Sequence, residues 1–351
     1  MGMSRLLPAL GALLVLPWLS GLTPPLYTPS RVEAVDLGPA FRGAHPSVLG
    51  LDGAYSLPLG DRKSLWIFGD TLIGSWQPGG RRLFVDMPPN TGAIASDDGW
   101  LKGFDKAAFL GGAKPSVLVP SKETKRRLWP LDAVTIENKH WLFWVEIEPF
   151  GKGPLDFKVT GTGVSEGQGS RPSHFARKPA LWPGEAPTFG TSALVRDKML
   201  YLFAGGAQTH LARMPLGDPT KARYSYWAGD GKWVDDWREA AALPESGPEM
   251  SVRYNPYLQH YVMIYVPPFG QTIESRYAPQ PWGPWSEPVR VATCQPAQSG
   301  AMFYGAKQHV QFDVEFGKRI VLTYNTNAPE EQLMDRPDLY WPRVVRVTFE
   351  R

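Results

Sequence analysis

The sequence predicts an all-β fold, a five-bladed β-propeller, on three observations. A strand-like apolar run occurs five times along the chain. Each run sits inside a larger unit with a strand before it and a strand after it. Turn formers are spread evenly through a chain rich in aromatics, with 36 Gly and 35 Pro beside 14 Trp, 13 Tyr and 16 Phe. That mixture favours many short strands over long helices. At 351 residues and 43% hydrophobic, the chain can bury a large core.

The five runs are Ser64-Leu65-Trp66-Ile67-Phe68, His140-Trp141-Leu142-Phe143-Trp144-Val145, Met199-Leu200-Tyr201-Leu202-Phe203, His260-Tyr261-Val262-Met263-Ile264-Tyr265 and Arg319-Ile320-Val321-Leu322-Thr323-Tyr324. Near-continuous apolar runs of this length suit strands covered on both faces. The strands that open the units start at Asp52, Leu131, Thr191, Glu249 and Tyr304, and those that close them at Thr91, Lys158, Thr209, Thr272 and Arg343. The repeat, at roughly 50- to 80-residue spacing, matches a propeller blade. The last strand is expected to pair with residues near 31–44 and close the ring. A jelly roll or double sandwich is the rival architecture. Helix is confined to one or two turns at Asp236-Trp-Arg-Glu-Ala-Ala-Ala.

Residues 1–22 stand apart. Arg5 precedes an uncharged apolar stretch from Leu6 to Leu22, and Thr23-Pro24-Pro25 breaks it. This reads as a secretory signal peptide, with an uncleaved anchor as the alternative because no clean cleavage site follows. Residues 30–351 are then one propeller domain, a monomer, secreted or periplasmic in a bacterium. The lone Cys294 cannot form an intramolecular disulfide. The net charge of +3 is small. The one basic cluster, Lys122, Lys125, Arg126 and Arg127, reads as a solvated loop, so neither nucleic acid nor membrane is expected as a partner unless the leader stays in place.

Several catalytic signatures are absent: H-E-x-x-H, C-x-x-C, a P-loop and a helix-opening G-x-G-x-x-G. Gly163-Val-Ser165-Glu-Gly167 has the spacing of a hydrolase nucleophile elbow but ends a strand before a polar loop, where no elbow forms. Ser96-Asp97-Asp98-Gly99-Trp100 resembles the Asp-box of sialidase-type propellers but neither recurs nor has its spacing.

Propeller geometry supplies a better lead, because the first strand of each blade lines the central channel. Asp52, Asp132 and Glu249 stand at or beside three of these strand starts, and Asp70 ends the second strand of the first unit. Glycosidic-bond cleavage needs paired carboxylates: one protonates the leaving oxygen and the other activates water or attacks the sugar. Each residue also has a plainer reading. Asp52 before Gly53 and Asp70 in Gly-Asp-Thr suit turns, and Glu249 suits a loop-to-strand junction. Asp132, inside an apolar strand, needs a partner. An acidic mouth would also suit a structural cation in the channel, although no cofactor or metal is required.

Tyr55, Trp129, Tyr254 and Tyr304 are placed to stack on sugar rings or to pack between blades. Arg253 either pairs with the acidic cluster or grips a ligand. Asn90 either faces the mouth or caps a turn.

The segments Asp52-Gly-Ala-Tyr-Ser-Leu-Pro-Leu, Leu65-Trp-Ile-Phe-Gly-Asp-Thr, Asn90-Thr-Gly-Ala, Leu211-Ala-Arg-Met-Pro, Tyr224-Ser-Tyr-Trp-Ala-Gly-Asp-Gly-Lys-Trp, Met250-Ser-Val-Arg-Tyr and Gly283-Pro-Trp-Ser-Glu-Pro run in order across residues 45–330. In these the chain resembles the domain-of-unknown-function 4185 (DUF4185) family, part of which is glycoside hydrolase family 183 with endo-D-arabinanase activity. The resemblance implies a five-bladed propeller with Asp52 and Asp70 as catalytic carboxylates. Furanosidase-type propellers are similar in layout, but their third blade often supplies an acid where this chain has Thr191-Ser192. The proton donor is thereby left open between Asp132 and Glu249, with Ser192 among the substrate-binding candidates.

The expectation is a glycoside hydrolase acting on a furanose-containing, arabinan-like polysaccharide or oligosaccharide. The alternatives are a non-catalytic carbohydrate-binding propeller and an envelope interaction propeller.

Overall fold

The computed structural model describes residues 28–98, 104–151, 153, 156–169, 172–296 and 300–351. The expected leader, residues 1–22, lies outside the described residues, as do Gly99 and Trp100 of the Asp-box-like stretch. Among the described residues, no helix is long and apolar enough to cross a membrane.

The structure is all-β. β1 (Arg31–Pro39) leads into β2 (Val48–Leu51) and β3 (Tyr55–Gly60), which pair with β4 (Lys63–Phe68) and β5 (Thr71–Trp76) on the return. β6 (Arg82–Asp86), β7 (Thr91–Ser96) and β8 (Ala108–Phe109) follow. The second sheet is β9 (Arg127–Ile136), β10 (Lys139–Pro149), β11 (Phe157–Gln168) and β12 (Ala176–Pro183). The third is β13 (Ser192–Arg196), β14 (Met199–Ala204), β15 (His210–Pro215), β16 (Ser225–Trp227) and β17 (Trp233–Val234). The fourth is β18 (Met250–Asn255), β19 (His260–Tyr265), β20 (Thr272–Ala278) and β21 (Val289–Thr293). The chain ends with β22 (Met302–Gln308), β23 (Arg319–Asn327), the short helix α1 (Glu330–Asp335) and β24 (Arg343–Glu350).

The predicted runs form the second strands. β4, β14 and β19 are buried at every residue but the first, because each has a strand on either side and packs on both faces. Tight turns set their register. Gly60 pairs with Lys63 and Arg196 with Met199, so two-residue loops join the strands. Asp61, Arg62, Asp197 and Lys198 all have positive φ, the conformation of a type I′ hairpin. The fifth sheet is completed by β1, which runs antiparallel to β24 with Arg31 opposite Glu350 and Pro39 opposite Arg343. Arg343 clamps this seam by an ion pair to Asp36 at 3.0 Å. The Asp236 stretch makes a single 3-10 turn, Trp237–Glu239.

Among the described residues, five apolar cores lie between consecutive sheets. Leu57 and Leu65 pack on Leu142 and Trp144 between the first and second sheets. Trp141 and Phe143 meet Leu200 and Leu202 between the second and third. Phe203 and Leu211 meet Met250 and Met263 between the third and fourth. Ile264 and Ile273 meet Leu322 and Val347 between the fourth and fifth. Trp66 and Phe68 meet Val321 and Trp341, returning from the fifth sheet to the first. A sandwich would bury a single core between two layers, so this cyclic order of seams disfavours the rival architecture.

A sixth sheet, β2–β5–β6, was not read from the sequence. It packs against α1 and the segment after it through Leu49, Leu72, Leu333, Leu339 and Tyr340. Buried Arg82 ties the two parts. Its Nε donates to Leu49 O at 2.7 Å, Nη1 to Leu333 O and to Arg336 O, the latter at 2.8 Å, and Nη2 to Leu339 O at 2.6 Å. Ser165 of the elbow-like motif is a buried residue within β11, opposite Leu142, so no strand–turn–helix surrounds it.

Candidate active site

The strands of the first unit are interrupted where its two carboxylates sit. Residues 52–54 separate β2 from β3, and residues 69–70 separate β4 from β5. Across this gap the Asp52 N–H donates to Asp70 O at 3.1 Å and the Gly69 N–H donates to Asp52 O at 2.7 Å. The two aspartates are thus neighbours by backbone pairing. Gly53, at φ +60, supplies a turn that few other residues accept.

Tyr304 Oη donates to Asp52 Oδ1 at 2.7 Å. Burial, reinforced by the charges of Glu249 and Asp70, pushes the Asp52 carboxyl up to about 8. Asp70 accepts Arg127 Nη2 at 2.6 Å and Trp129 Nε1 at 3.1 Å on Oδ1. Burial still raises its pKa against the opposing effect of Arg127. Glu249, partly open to solvent like Asp52, accepts the Tyr55 hydroxyl on Oε2 at 2.8 Å. Among the described residues no cation lies within ion-pair distance of Asp52 or Glu249, and no donor reaches Glu249 Oε1. Gly305 lets the backbone of β22 approach Glu249, since a Cβ there would stand 3.2 Å from Oε2. Asp52, Asp70 and Glu249, with Tyr55, Trp129 and Tyr304, therefore form one cluster.

Asp132 belongs to a different arrangement deeper along the first strands. Its Oδ1 accepts Ala133 N–H at 3.0 Å, and its Oδ2 accepts Ala193 N–H and Arg253 Nη2, both at 2.8 Å. The other terminal nitrogen of Arg253 donates to Ser192 Oγ, Ala193 O and Val252 O. Ser192 also accepts Val252 N–H at 2.9 Å. Asp132, Ser192 and Arg253 thus tie the second, third and fourth sheets together. Buried Asn90 is likewise engaged, donating to Val119 O and Leu128 O and accepting Val119 N–H. Tyr254 lies under the Arg196 guanidinium and against Tyr261, in neither group.

Lys307 links several sheets. Its Nζ donates to Thr191 O at 3.1 Å and Met250 O at 2.7 Å, and lies 4.5 Å from the centre of the Tyr55 ring. One ammonium thus touches the first, third and fourth sheets from the fifth. Burial brings it down to about 8. Below it Ser56 Oγ and His309 Nδ1 are 2.7 Å apart, joining the fifth sheet to the first. Burial lowers His309 to about 3.

The reading of the basic cluster as a solvated loop needs correction. Lys122 and Lys125 are exposed, whereas Arg127 is half-buried on Asp70 and Met87 O. Arg126 lies within ion-pair distance of Glu123, Glu146 and Glu148. The signal was present: Arg127 and Trp129 are two apart on a strand, so both face Asp70. Lys307 and Tyr340 carried no comparable signal. Among the described residues, no group of three or more His, Cys, Asp or Glu is arranged to hold a metal ion.

Solved structures share the fold at low sequence identity. A proposed hydrolase from Bacteroides ovatus matches with a TM-score of 0.68 at 16% identity, over 88% of this chain and 87% of its own. A family 43 glycoside hydrolase from Xanthomonas citri, complexed with xylotriose, matches at 0.51 and 14% identity over 90% of each chain. Zg3597, a family 117 glycoside hydrolase from Zobellia galactanivorans, matches at 0.50 and 12% over 90% of each. Comparison with curated proteins found no match. The resemblance to DUF4185 and glycoside hydrolase family 183 does not hold, because the family model that matches residues 42–349 is a different one. The segments behind that resemblance fall on strands and turns at inner, middle and outer positions of their sheets, and short strand and turn segments discriminate families poorly. The chain belongs to the family described as Domain of unknown function (DUF5005).

Proposed function

We propose that the protein is a glycoside hydrolase whose five main sheets are the blades of a β-propeller, with its active site where the first strands begin. The cyclic order of the five cores and the reach of Lys307 across the axis support the propeller. One observation carries the chemistry: three carboxylates lie close enough to interact, and one of them is pushed up to about 8 by burial and by the other two. Like charges so close cannot all ionise, so the cluster retains a proton near neutral pH while offering a base beside it.

In this reading Asp52 is the general acid. It gives its proton to the glycosidic oxygen as the C–O bond breaks, and the Tyr304 hydroxyl steadies the carboxylate left behind. Glu249, aligned by Tyr55, takes the proton of the water that adds to the anomeric carbon, or attacks that carbon itself. Asp70, held by Arg127 and Trp129, supplies negative charge that favours the oxocarbenium-like transition state.

The first substrate class to assay is pentose-containing polysaccharide. It includes the arabinan-type furanose chains expected from the sequence and xylose chains like the xylotriose bound by the Xanthomonas neighbour. The expected compartment is the bacterial periplasm or exterior. The test is release of reducing ends from arabinan, arabinoxylan and xylan, with the anomer of the new product followed by proton NMR. Inversion assigns Glu249 as base and retention assigns it as nucleophile. Absence of cleavage across the panel, with sugar still bound, would replace the hydrolase with a carbohydrate-binding protein.

A further inference from the structure

Three phenols crowd the cluster, and two of them have acceptors. Tyr55 donates to Glu249 and Tyr304 to Asp52. Tyr340 does not fit that pattern. Its side chain interacts electrostatically with Asp52, Asp70, Arg127 and Tyr304, yet its hydroxyl makes no hydrogen bond to any described residue. Tyr340 is only 5% exposed. The ring is covered but the hydroxyl oxygen is not fully enclosed, so it is open to solvent or a ligand, and burial beside two carboxylates holds this phenol well above its ordinary pKa, keeping the proton in place.

Its seat is built at some expense. Tyr340 has φ +62, a left-handed conformation rare for a bulky aromatic residue. Its C=O accepts the Leu51 N–H at 2.7 Å, directly before Asp52. Gly50 makes room, since a Cβ there would come within 2.9 Å of both the ring and the carbonyl oxygen of Tyr340. The segment carrying Tyr340 is fastened from below by Arg82, on the carbonyls of Leu333, Arg336 and Leu339. A strained, fastened aromatic with a spare donor beside the reacting groups is built to meet a ligand.

We propose that Tyr340 is a substrate-binding residue of this site, its hydroxyl donating to an oxygen of the sugar unit that sits against Asp52 and Asp70. The inference rests on the glycan reading above. A packing residue in the Leu49, Leu72, Leu333 and Leu339 cluster would need only the ring, so Tyr340→Phe separates the two roles.

Wild type and Tyr340→Phe are compared in cleavage of xylohexaose and arabinohexaose. Binding of the same sugars to Asp52→Asn, with and without Tyr340→Phe, is measured by calorimetry. The expected result is about ten-fold weaker binding and a correspondingly lower kcat/KM, at an unchanged melting temperature. Unchanged kinetics and affinity in Tyr340→Phe, with an active wild type, overturn the Tyr340 assignment alone. If wild type neither cleaves nor binds either sugar, the pentose-glycan reading falls, and the ligand proposed for Tyr340 falls with it.

Discussion

Two levels of the same set of first strands carry carboxylates of opposite character. At the strand starts, Asp52 and Glu249 each accept a tyrosine hydroxyl and have no cation at ion-pair distance among the described residues. One level down, Asp132 spends both oxygens on two backbone N–H groups and the Arg253 guanidinium. Both levels are acidic, inward-facing and sheltered. They differ in whether the protein itself satisfies the charge. Where it does, the carboxylate is a tie between sheets; where it does not, capacity remains for a substrate or a proton.

That contrast is broken most forcefully at the upper level. Asp52→Asn or Glu249→Gln should reduce glycan cleavage by about 10²- to 10⁴-fold, the usual worth of a general acid or base. Melting curves should show the fold intact. At the lower level the ordering reverses. Asp132→Ala strands the Arg253 guanidinium among carbonyls and should cost about 3–5 kcal/mol in denaturant unfolding. The activity of the protein that remains folded should be retained. A destabilised Glu249→Gln beside an inactive but fully stable Asp132→Ala would invert the assignment.

A gentler test uses pH. The Asp52 carboxyl binds its proton more tightly folded than unfolded, since it is raised from 3.8 to about 8. Its contribution to stability is therefore complete below about pH 4 and is lost as pH rises through about 8. Asp52→Asn should remove that decline, gaining on wild type in melting temperature between pH 5 and pH 8. A parallel pair of curves would show that Asp52 ionises normally. The smallest effect is expected at the surface: Lys122→Ala and Lys125→Ala should change stability by less than about 0.5 kcal/mol. Arg127→Met should instead impair activity, by releasing Asp70.

Much of the architecture was legible because it is written locally. The five runs and the strands on either side of them are continuous segments bounded by turns, and β4, β10, β14, β19 and β23 all fall on predicted runs. The pairing of β1 with β24 was expected as closure of the ring and not from any local pattern. The sixth sheet was not legible, because it depends on Arg82 reaching carbonyls some 250 residues further along the chain. The site divides in the same way. Asp52, Asp70 and Glu249 were found as strand-end carboxylates. Asp132, inside an apolar strand, was expected to need a partner, but nothing local named it, since the guanidinium that satisfies it lies 121 residues away. Arg127 was misread because a run of basic residues looks alike whether solvated or paired, although its alternation with Trp129 marked a shared face.

The measurement that bears most directly on this account is reducing-end release from arabinan and xylan by wild type, Glu249→Gln and Asp132→Asn, at equal concentrations of folded protein. The account predicts product from wild type, appreciable product from Asp132→Asn, and almost none from Glu249→Gln. Equal activity in wild type and Glu249→Gln would contradict it, because a carboxylate left without a cation would then take no part in the chemistry.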